Sequence, residues 1–166
     1  MEDKYSKAQL IMLVILRVFI GWHFLYEGLV KVLNPDWTAK AYLMDSQGIF
    51  SRTFIDMALN PDQLKIVDFL NEWALVAIGF ALLTGLFARL ASLGGILLLI
   101  LYTMSHPSFL GSRYMIPFEG SYFLIDKNLV EMAALAVLFV FPTARIIGLD
   151  NLLYKLFPVS FRKFIL

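Results

Sequence analysis

Long apolar runs constrain the fold of this chain more than any other feature. Four segments, at about 10–33, 67–88, 90–105 and 127–147, approach or reach the roughly 17 to 25 apolar residues that cross a bilayer. Hydrophobic residues make up 60% of the 166 positions and charged residues 16%, which is more apolar than a soluble domain of this size. The sequence therefore predicts an all-α integral membrane protein, a single domain over 1–166 folded as a four-helix bundle.

Two longer connections, 34–66 and 106–126, join the predicted spans on one side of the membrane. The first mixes apolar and polar positions in a pattern typical of short amphipathic helices that rest on a membrane surface, so we expect such helices to cap the extracytoplasmic side. Lysine and arginine concentrate at both termini and at the short turn containing Arg89. Because these residues favour the cytoplasmic side, we expect both termini to be cytoplasmic, in an inner (plasma) membrane of bacterial or archaeal type.

Charge balance and cysteine content narrow the function classes. A net charge of +1 provides no basic field that would attract nucleic acid, and the lipid bilayer is the partner that the composition predicts. The sequence has no cysteine, which excludes disulfides, thiolate metal sites, cysteine-ligated iron–sulfur clusters and covalent c-type haem. Haem held by His23 and His106 is not favoured. A metal site from histidine and glutamate side chains is not favoured either, because no consecutive ligand motif is present.

The first predicted span carries ionisable side chains where charge is most costly. In the stretch HFLYEGLVK, His23, Glu27 and Lys31 are spaced four residues apart, so they lie on one helical face, and Arg17 joins that face. Ionisable residues within a span usually face a bundle interior, a cavity or a pathway. We interpret them as one wall of an outward-opening polar pocket. For Arg17 an alternative stays open, in which it holds two helices together by bonding to carbonyl groups.

The other predicted spans bring polar side chains to the same level of the bundle. These are Asn71 and Glu72 at the start of the second span, Tyr102 and His106 at the end of the third, and Lys127, Asn128 and Glu131 at the start of the fourth. Charges close to a span end can also be ordinary interfacial residues, and this alternative is strongest for Glu72 and Lys127. Within the predicted pocket, Glu27 is the central acid and Lys31 its charge partner.

Three stretches resemble the DoxX/DoxD family of membrane proteins. LRVFIGWHFLYEGLVKVLNP is similar to the first span of that family, whose pattern falls here on Arg17, Gly21, Phe24-Leu25, Gly28 and Lys31. EGSYFLIDKNLVEMAALAVL, from Glu119 to Leu138, resembles the entry to the last span in DoxD-like members. GFALLTGLFARLASLGGILLLILY resembles the hairpin of the two middle spans. The resemblance follows the chain in order over nearly its whole length.

The resemblance implies a fold of four membrane helices and a quinone-linked oxidoreductase activity. The best-described activity of the family is that of the DoxD membrane subunit, a thiosulfate:quinone oxidoreductase that works with a small partner subunit. It implies a quinone as co-substrate and thiosulfate or another small reduced sulfur species as donor. In this interpretation the catalytic side chains are Glu27, His23 and Glu131. The substrate-binding side chains are Arg17, Lys31, His106, Lys127, Asn128, Glu72 and Tyr102.

A non-catalytic role stays open from the residues alone. Transporters, and accessory or anchor subunits that bind a small ligand or lipid, also use intramembrane glutamate, lysine and histidine. An inverted repeat would favour a transporter, but the first two predicted spans do not visibly match the last two. The oligomeric state is open as well, because Gly94-Gly95 would suit close packing within one bundle or between two copies.

Overall fold

The computed structural model describes residues 5–109, 113–115, 123 and 125–152, and all structural statements concern those residues. Parts of the predicted connection 106–126 and of the stretch Glu119–Leu138 lie outside them. The described chain is all-helical, without a strand. Its helices are α1 (Lys7–Val32), α2 (Lys40–Met44), α3 (Ser51–Leu59), α4 (Pro61–Thr84), α5 (Ala88–Ser105) and α6 (Lys127–Val140). Among them α1, α4 and α5 are long and apolar enough to cross a membrane.

Helix α1 begins at a capping box and presents two different faces. The Ser6 amide donates to Gln9 Oε1 over 2.8 Å, and the Gln9 amide donates to Ser6 Oγ over 3.2 Å, so two amides of the first turn are satisfied. One face is buried against the rest of the protein. The opposite face exposes large apolar side chains suited to lipid, namely Ile11, Met12, Ile15, Phe19, Trp22, Tyr26, Leu29 and Val30.

Helices α1 and α4 approach closely because glycines lie between them. A Cβ atom on Gly21 would be 2.8 Å from the backbone nitrogen of Leu83, and one on Gly28 would be 2.7 Å from that of Val76. Small residues of this kind allow two membrane helices to pack backbone against backbone. As the residue numbers rise along α1 they fall along α4, so the two helices are antiparallel.

The long helices and α6 surround a shared apolar core. Helix α1 contacts α4 and α6, and α5 contacts α4 and α6, so each of the four has two neighbours. The buried residues between them are Ile20, Phe24, Leu75, Ile78, Leu82, Ala91, Leu99, Leu135 and Leu138. This arrangement brings the C-terminal ends of α1 and α5 next to the N-terminal ends of α4 and α6.

Helix α4 begins earlier than the apolar pattern predicts. The sequence placed the second span at about 67–88, whereas the helix begins at Pro61, where the Asn60 side chain accepts hydrogen bonds from the amides of Asp62 and Gln63. The first turns of α4 are polar, so the apolar pattern does not indicate them. The helix ends before Gly85, whose φ of 66° lies in the left-handed region that favours glycine.

Helix α6 ends earlier than the apolar pattern predicts. The sequence extended the fourth span to about residue 147 with a bend at Pro142, whereas the helix ends at Val140. A proline disfavours helical geometry in the residue before it, which here is Phe141. At about 1.5 Å per residue, 14 residues span about 21 Å, less than the roughly 30 Å of a hydrocarbon core.

The connection between α1 and α4 is fixed onto the ends of the long helices. Asp68 of α4 accepts hydrogen bonds from the Ala39 amide over 2.8 Å and from Thr38 Oγ1 over 2.9 Å, which anchors the chain before α2. After α2, the amides of Gln47 and Gly48 both donate to the carbonyl of Ser105 at the end of α5. Helices α2 and α3 therefore lie beside the end of the bundle where the polar residues of the predicted site collect.

Candidate functional site

A cavity of about 370 Å³ lies where α1 and α5 end and α4 and α6 begin, and we refer to this region as the pocket end. Its volume falls at the lower end of the range of small-molecule sites, about 300–1,000 Å³. Phe24, Leu75 and Leu99 give it an apolar part. Eight of the ten side chains predicted from the sequence also line it, namely His23, Glu27, Lys31, Tyr102, His106, Lys127, Asn128 and Glu131.

A histidine and a glutamate connect α1 to α6 across the pocket end. His23 Nδ1 donates a hydrogen bond to Glu131 Oε1 over 2.9 Å. The His23 side chain is 50% exposed and the Glu131 side chain 13%, so the pair extends from the mouth of the cavity toward its interior. Such a pair can accept a proton, hold it between the two side chains and release it again.

A second ionic pair lies one turn further along α1. Lys31 Nζ is 3.7 Å from Glu27 Oε2, and the lysine is the more buried partner. The ammonium also lies 5.5 Å from the centre of the Trp37 ring, within reach of a cation–π interaction. Glu72 acts on Lys31 electrostatically but does not line the cavity. The pair thus places one cation and one carboxylate beside the same space.

Three residues from three helices that line the cavity are connected by hydrogen bonds. Asn71 Nδ2 donates to the Tyr102 hydroxyl over 2.7 Å, and the Tyr42 hydroxyl donates to the Tyr102 carbonyl over 3.3 Å. The rings of Tyr42 and Tyr102 meet edge to face at 6.0 Å. Asn71 Oδ1 is buried and has no hydrogen-bond partner.

His106 is fixed between two tyrosine rings at the end of α5. Its ring lies 3.9 Å from that of Tyr42 and 4.7 Å from that of Tyr114. Nδ1 shares a hydrogen bond of 3.0 Å with Ser105 Oγ, whereas Nε2 is buried without a partner. Burial lowers the pKa of His106, and Asp45 opposes that effect. The imidazole is therefore neutral at pH 7 and can present either a donor or an acceptor at Nε2.

The start of α6 forms the remaining wall. Asp126 caps the helix by accepting from the Leu129 amide over 3.0 Å, and its other oxygen accepts from Ser108 Oγ over 2.7 Å. This cap fixes Lys127 and Asn128 in the first turn beside the cavity. The bond from Ser108 also holds the start of α6 against the segment that follows α5.

Arg17 lies away from this cavity, in the first half of α1 and beside the turn between α4 and α5. Its guanidinium donates from Nη1 to Thr143 Oγ1 over 3.1 Å and from Nη2 to the Ile147 carbonyl over 2.8 Å. Asp150 acts on it electrostatically. A Cβ atom on Gly85 would lie 3.2 Å from the guanidinium. We refer to these residues as the closed end, and they correspond to the carbonyl-bonding alternative that the sequence left open for Arg17.

The sequence patterns assigned no role in the pocket to some residues that line the cavity. Trp37, Thr38 and Tyr42 belong to the connection between α1 and α4, and their amphipathic pattern indicated a surface helix rather than a pocket wall. Asp126 was predictable as the N-cap of α6, because an aspartate directly before a helical pattern is typical of an N-cap. Among the described residues, no group of three or more histidine, aspartate or glutamate side chains is placed to hold a metal ion.

Comparison with known protein families identifies a match. The family model named DoxX matches residues 12–107, which run from α1 to the segment just after α5. Neither the curated proteins nor the solved structures include a match to this chain. The matched region covers more than half of the sequence, including most of α1 and the whole of α4 and α5, the three helices able to cross a membrane. The chain is therefore a membrane protein that belongs to the DoxX family.

Proposed function

We propose that this DoxX protein oxidises a small reduced donor, thiosulfate or another sulfur species, and passes the electrons to a quinone in the pocket-end cavity. One observation carries the proposal. A single cavity of about 370 Å³ contains cationic side chains, proton-carrying pairs and hydrogen-bonding aromatic side chains. Anion binding, proton transfer and ring binding are the three requirements of such a reaction.

The reaction balances with the groups that line the cavity. Two thiosulfate ions each lose one electron and join through a new S–S bond, while one quinone takes up two electrons and two protons to become a hydroquinone. Lys31 and Lys127 would attract the dianion. Glu27 and the His23–Glu131 pair would supply and replace the protons.

The exposure of the lining residues supports entry of the quinone from the bilayer. The side chains of His23 and Glu27 are each 50% exposed and so mark the mouth of the cavity. On the same helix, Trp22 and Tyr26 are also exposed, and their rings stack at 6.4 Å. Exposed tryptophan and tyrosine are typical of the membrane interface. A lipid-dissolved ring could reach the mouth beside them without crossing water.

The membrane topology that we propose is based on the distribution of lysine and arginine along the chain. We place the pocket end on the extracytoplasmic side, with α2 and α3 as its cover, and both termini in the cytoplasm of a bacterial or archaeal cell. The fourth span would consist of α6 together with the turns that follow Val140. A small redox partner subunit is a further expectation from the family resemblance, and self-association through small residues such as Gly94-Gly95 stays open.

The proposal is tested by quinone reduction in a defined system. Purified protein in lipid nanodiscs is mixed with thiosulfate and duroquinone, and hydroquinone formation is followed by absorbance. We expect turnover by the wild type and a loss of about 100-fold in Glu27→Gln, since a positioned acid contributes about 10²- to 10⁴-fold. Asp62→Asn is the matched control, because this exposed carboxylate lies outside the cavity and should leave turnover unchanged.

Two results would contradict the proposal. The first is no turnover from folded wild type with thiosulfate or with sulfide as donor. The second is full turnover from Glu27→Gln. The first result would favour the non-catalytic alternative, an accessory or transport protein that uses the same cavity to bind a ligand. The self-neutralising pairs Glu27–Lys31 and His23–Glu131 are the observation that favours that alternative.

A further inference from the structure

Two unpartnered polar atoms belong to residues that line the same cavity. Asn71 Oδ1 and His106 Nε2 are buried and have no hydrogen-bond partner. His106 as a residue is only 5% exposed. Buried polar atoms in native proteins are nearly always hydrogen-bonded. Because these two belong to residues that line a cavity, a molecule bound there can supply the missing partner.

The hydrogen bonds around Asn71 define what that partner must offer. Asn71 Nδ2 already donates to the Tyr102 hydroxyl over 2.7 Å, so the free atom of the amide is the oxygen, which can only accept. The Tyr102 hydroxyl uses an oxygen lone pair in this bond and keeps its own hydrogen to donate. Asn71 and Tyr102 together therefore present one acceptor and one donor.

His106 adds a group that can change its role. Its Nδ1 is bonded to Ser105 Oγ, a hydroxyl that can either donate or accept. When the hydroxyl donates to Nδ1, Nε2 carries the proton and donates; when the hydroxyl accepts, Nε2 accepts. The Tyr42 ring stacked at 3.9 Å holds the imidazole in one orientation while this change occurs.

The surroundings select a flat, uncharged ligand. Phe24, Leu75 and Leu99 line the cavity together with the rings of Tyr42 and Tyr102. The three hydrogen-bonding side chains carry no charge when His106 is neutral, whereas the anion-attracting lysines, Lys31 and Lys127, belong to α1 and α6. An aromatic ring with hydroxyl groups matches both the apolar lining and the unpartnered atoms.

We infer that Asn71, Tyr102 and His106 form a neutral subsite for a hydroxylated aromatic ring, and that this subsite binds a hydroquinone more tightly than the corresponding quinone. The inference rests on the proposed function for the identity of the ring. A quinone oxygen only accepts, so it can pair with Tyr102 and with protonated Nε2 but leaves Asn71 Oδ1 unpaired. A hydroquinone hydroxyl can donate to Asn71 Oδ1 and also accept from Tyr102. The reduced ligand thus makes one more hydrogen bond.

The test compares three ligands on the wild-type protein. Durohydroquinone, duroquinone and the dimethyl ether of durohydroquinone are titrated anaerobically into protein nanodiscs by calorimetry, with empty nanodiscs as the blank for lipid partition. One additional hydrogen bond to a buried acceptor corresponds to about tenfold in affinity. We expect durohydroquinone to bind about tenfold more tightly than duroquinone. The ether has no donor and should bind no better than the quinone.

A pair of variants assigns the preference to Asn71. Asn71→Leu removes the acceptor and should reduce the hydroquinone preference to about onefold. Asn151→Leu makes the same change at an exposed position outside the cavity and should retain the preference. Equal binding of hydroquinone and quinone by the wild type, or tighter binding of the quinone, would overturn the inference. This comparison needs no variant, so it stands even if Asn71→Leu does not fold.

The outcome is separable from that of the proposed function. A hydroquinone preference in a protein that shows no turnover with thiosulfate or sulfide would support the subsite and contradict the proposed reaction. Turnover in a protein that binds the oxidised and reduced rings equally would support the reaction and overturn the subsite. The two experiments therefore fail independently.

Discussion

The pocket end and the closed end both contain buried polar and ionisable side chains, but their partners differ. At the closed end, Arg17 and Asp150 are 3% and 1% exposed and bind mainly to backbone groups and a hydroxyl. At the pocket end, the ionisable side chains pair with one another around a cavity. The unpartnered atoms there, Asn71 Oδ1 and His106 Nε2, belong to residues that line the cavity, whereas the unpartnered Arg17 Nε at the closed end belongs to a residue outside it. A charged side chain that is bonded to backbone groups stabilises the fold, whereas a charged side chain that lines a cavity is available to a ligand.

The closed end shows how a charged residue becomes part of the framework. Asp150 accepts from the amides of Phe87 and Ala88 over 2.6 and 3.2 Å, at the point where α5 begins. The Asp150 amide donates in turn to the Gly85 carbonyl, in the turn between α4 and α5. Arg17 joins α1 to the segment after α6. Together these bonds connect four helices at one end.

The largest expected effect is on stability at the closed end. Arg17→Leu removes the hydrogen bonds to Thr143 and to the Ile147 carbonyl. It also removes one of the two arginines, Arg17 and Arg145, that act electrostatically on Asp150. Disrupting a buried ionic network costs about 3–5 kcal/mol, so we expect the free energy of unfolding to fall by about that amount. The measurement is denaturant unfolding in detergent micelles. Lys7→Leu, an exposed cation on the same helix, is the control; an equal loss there would contradict the structural role of Arg17.

A smaller loss is expected when the cap of α5 is removed. Asp150→Ala leaves the amides of Phe87 and Ala88 unsatisfied, which should cost about 1–3 kcal/mol in the same unfolding assay. Asp150→Asn keeps one acceptor oxygen and should cost less. If the two variants were equally stable, the hydrogen bonds from the amides would not be what fixes this turn.

The next effect concerns substrate affinity at the pocket end. Lys31→Met removes a cation beside the cavity, and we expect KM for thiosulfate to rise about tenfold with kcat retained, as for loss of uniform binding. Stability should change by less than about 1 kcal/mol, because a pair whose glutamate is half exposed contributes little. A large stability loss with unchanged KM would place Lys31 with the framework residues instead.

The smallest effect is on the pH dependence of stability, which should have opposite signs at the two ends. Burial lowers the pKa of His106 below 6.5, so its contribution to stability is present above that pH and is lost as the pH falls toward the folded-state pKa. Asp45 is the charged group that opposes this. Burial raises the pKa of Asp150 above 3.8, so its contribution is present at low pH and is lost as the pH rises through the folded-state pKa.

The sign difference is measured against variants that do not titrate. The stability difference between wild type and His106→Gln should shrink as the pH falls from 6.5. The difference between wild type and Asp150→Asn should shrink as the pH rises from 3.8. Parallel pH profiles for the wild type and both variants would show that neither residue is perturbed by burial.

The sequence predicted the helical membrane fold and much of the cavity wall because both depend on local spacing. Apolar runs indicate spans, and the spacing of His23, Glu27 and Lys31 indicates a shared helical face. Arg17 shares that face, but at about 1.5 Å per residue it lies about 9 Å closer to the start of α1 than His23. Its guanidinium therefore contacts the turn at Gly85 and not the cavity. Helical periodicity shows which residues share a face, but not which of them reach the cavity.

Other features depend on tertiary contacts that local patterns do not contain. The pairing of His23 with Glu131 joins residues 108 positions apart. The stacking of Tyr42 on His106 requires the connection before α4 to fold over the end of α5. Asn71 was visible only as a polar residue near a span end, and its role follows from the bond to Tyr102. The contacts between these residues therefore emerged only once the helices were packed together.

The most direct measurement compares Glu27→Gln with Arg17→Leu for both unfolding free energy and duroquinone reduction. If the pocket end is functional and the closed end structural, Glu27→Gln retains stability within about 1 kcal/mol and loses turnover about 100-fold. Arg17→Leu then loses about 3–5 kcal/mol of stability, and whatever fraction remains folded turns over like the wild type. If Glu27→Gln is destabilised as much as Arg17→Leu, or if Glu27→Gln turns over normally, the distinction between the two ends is wrong.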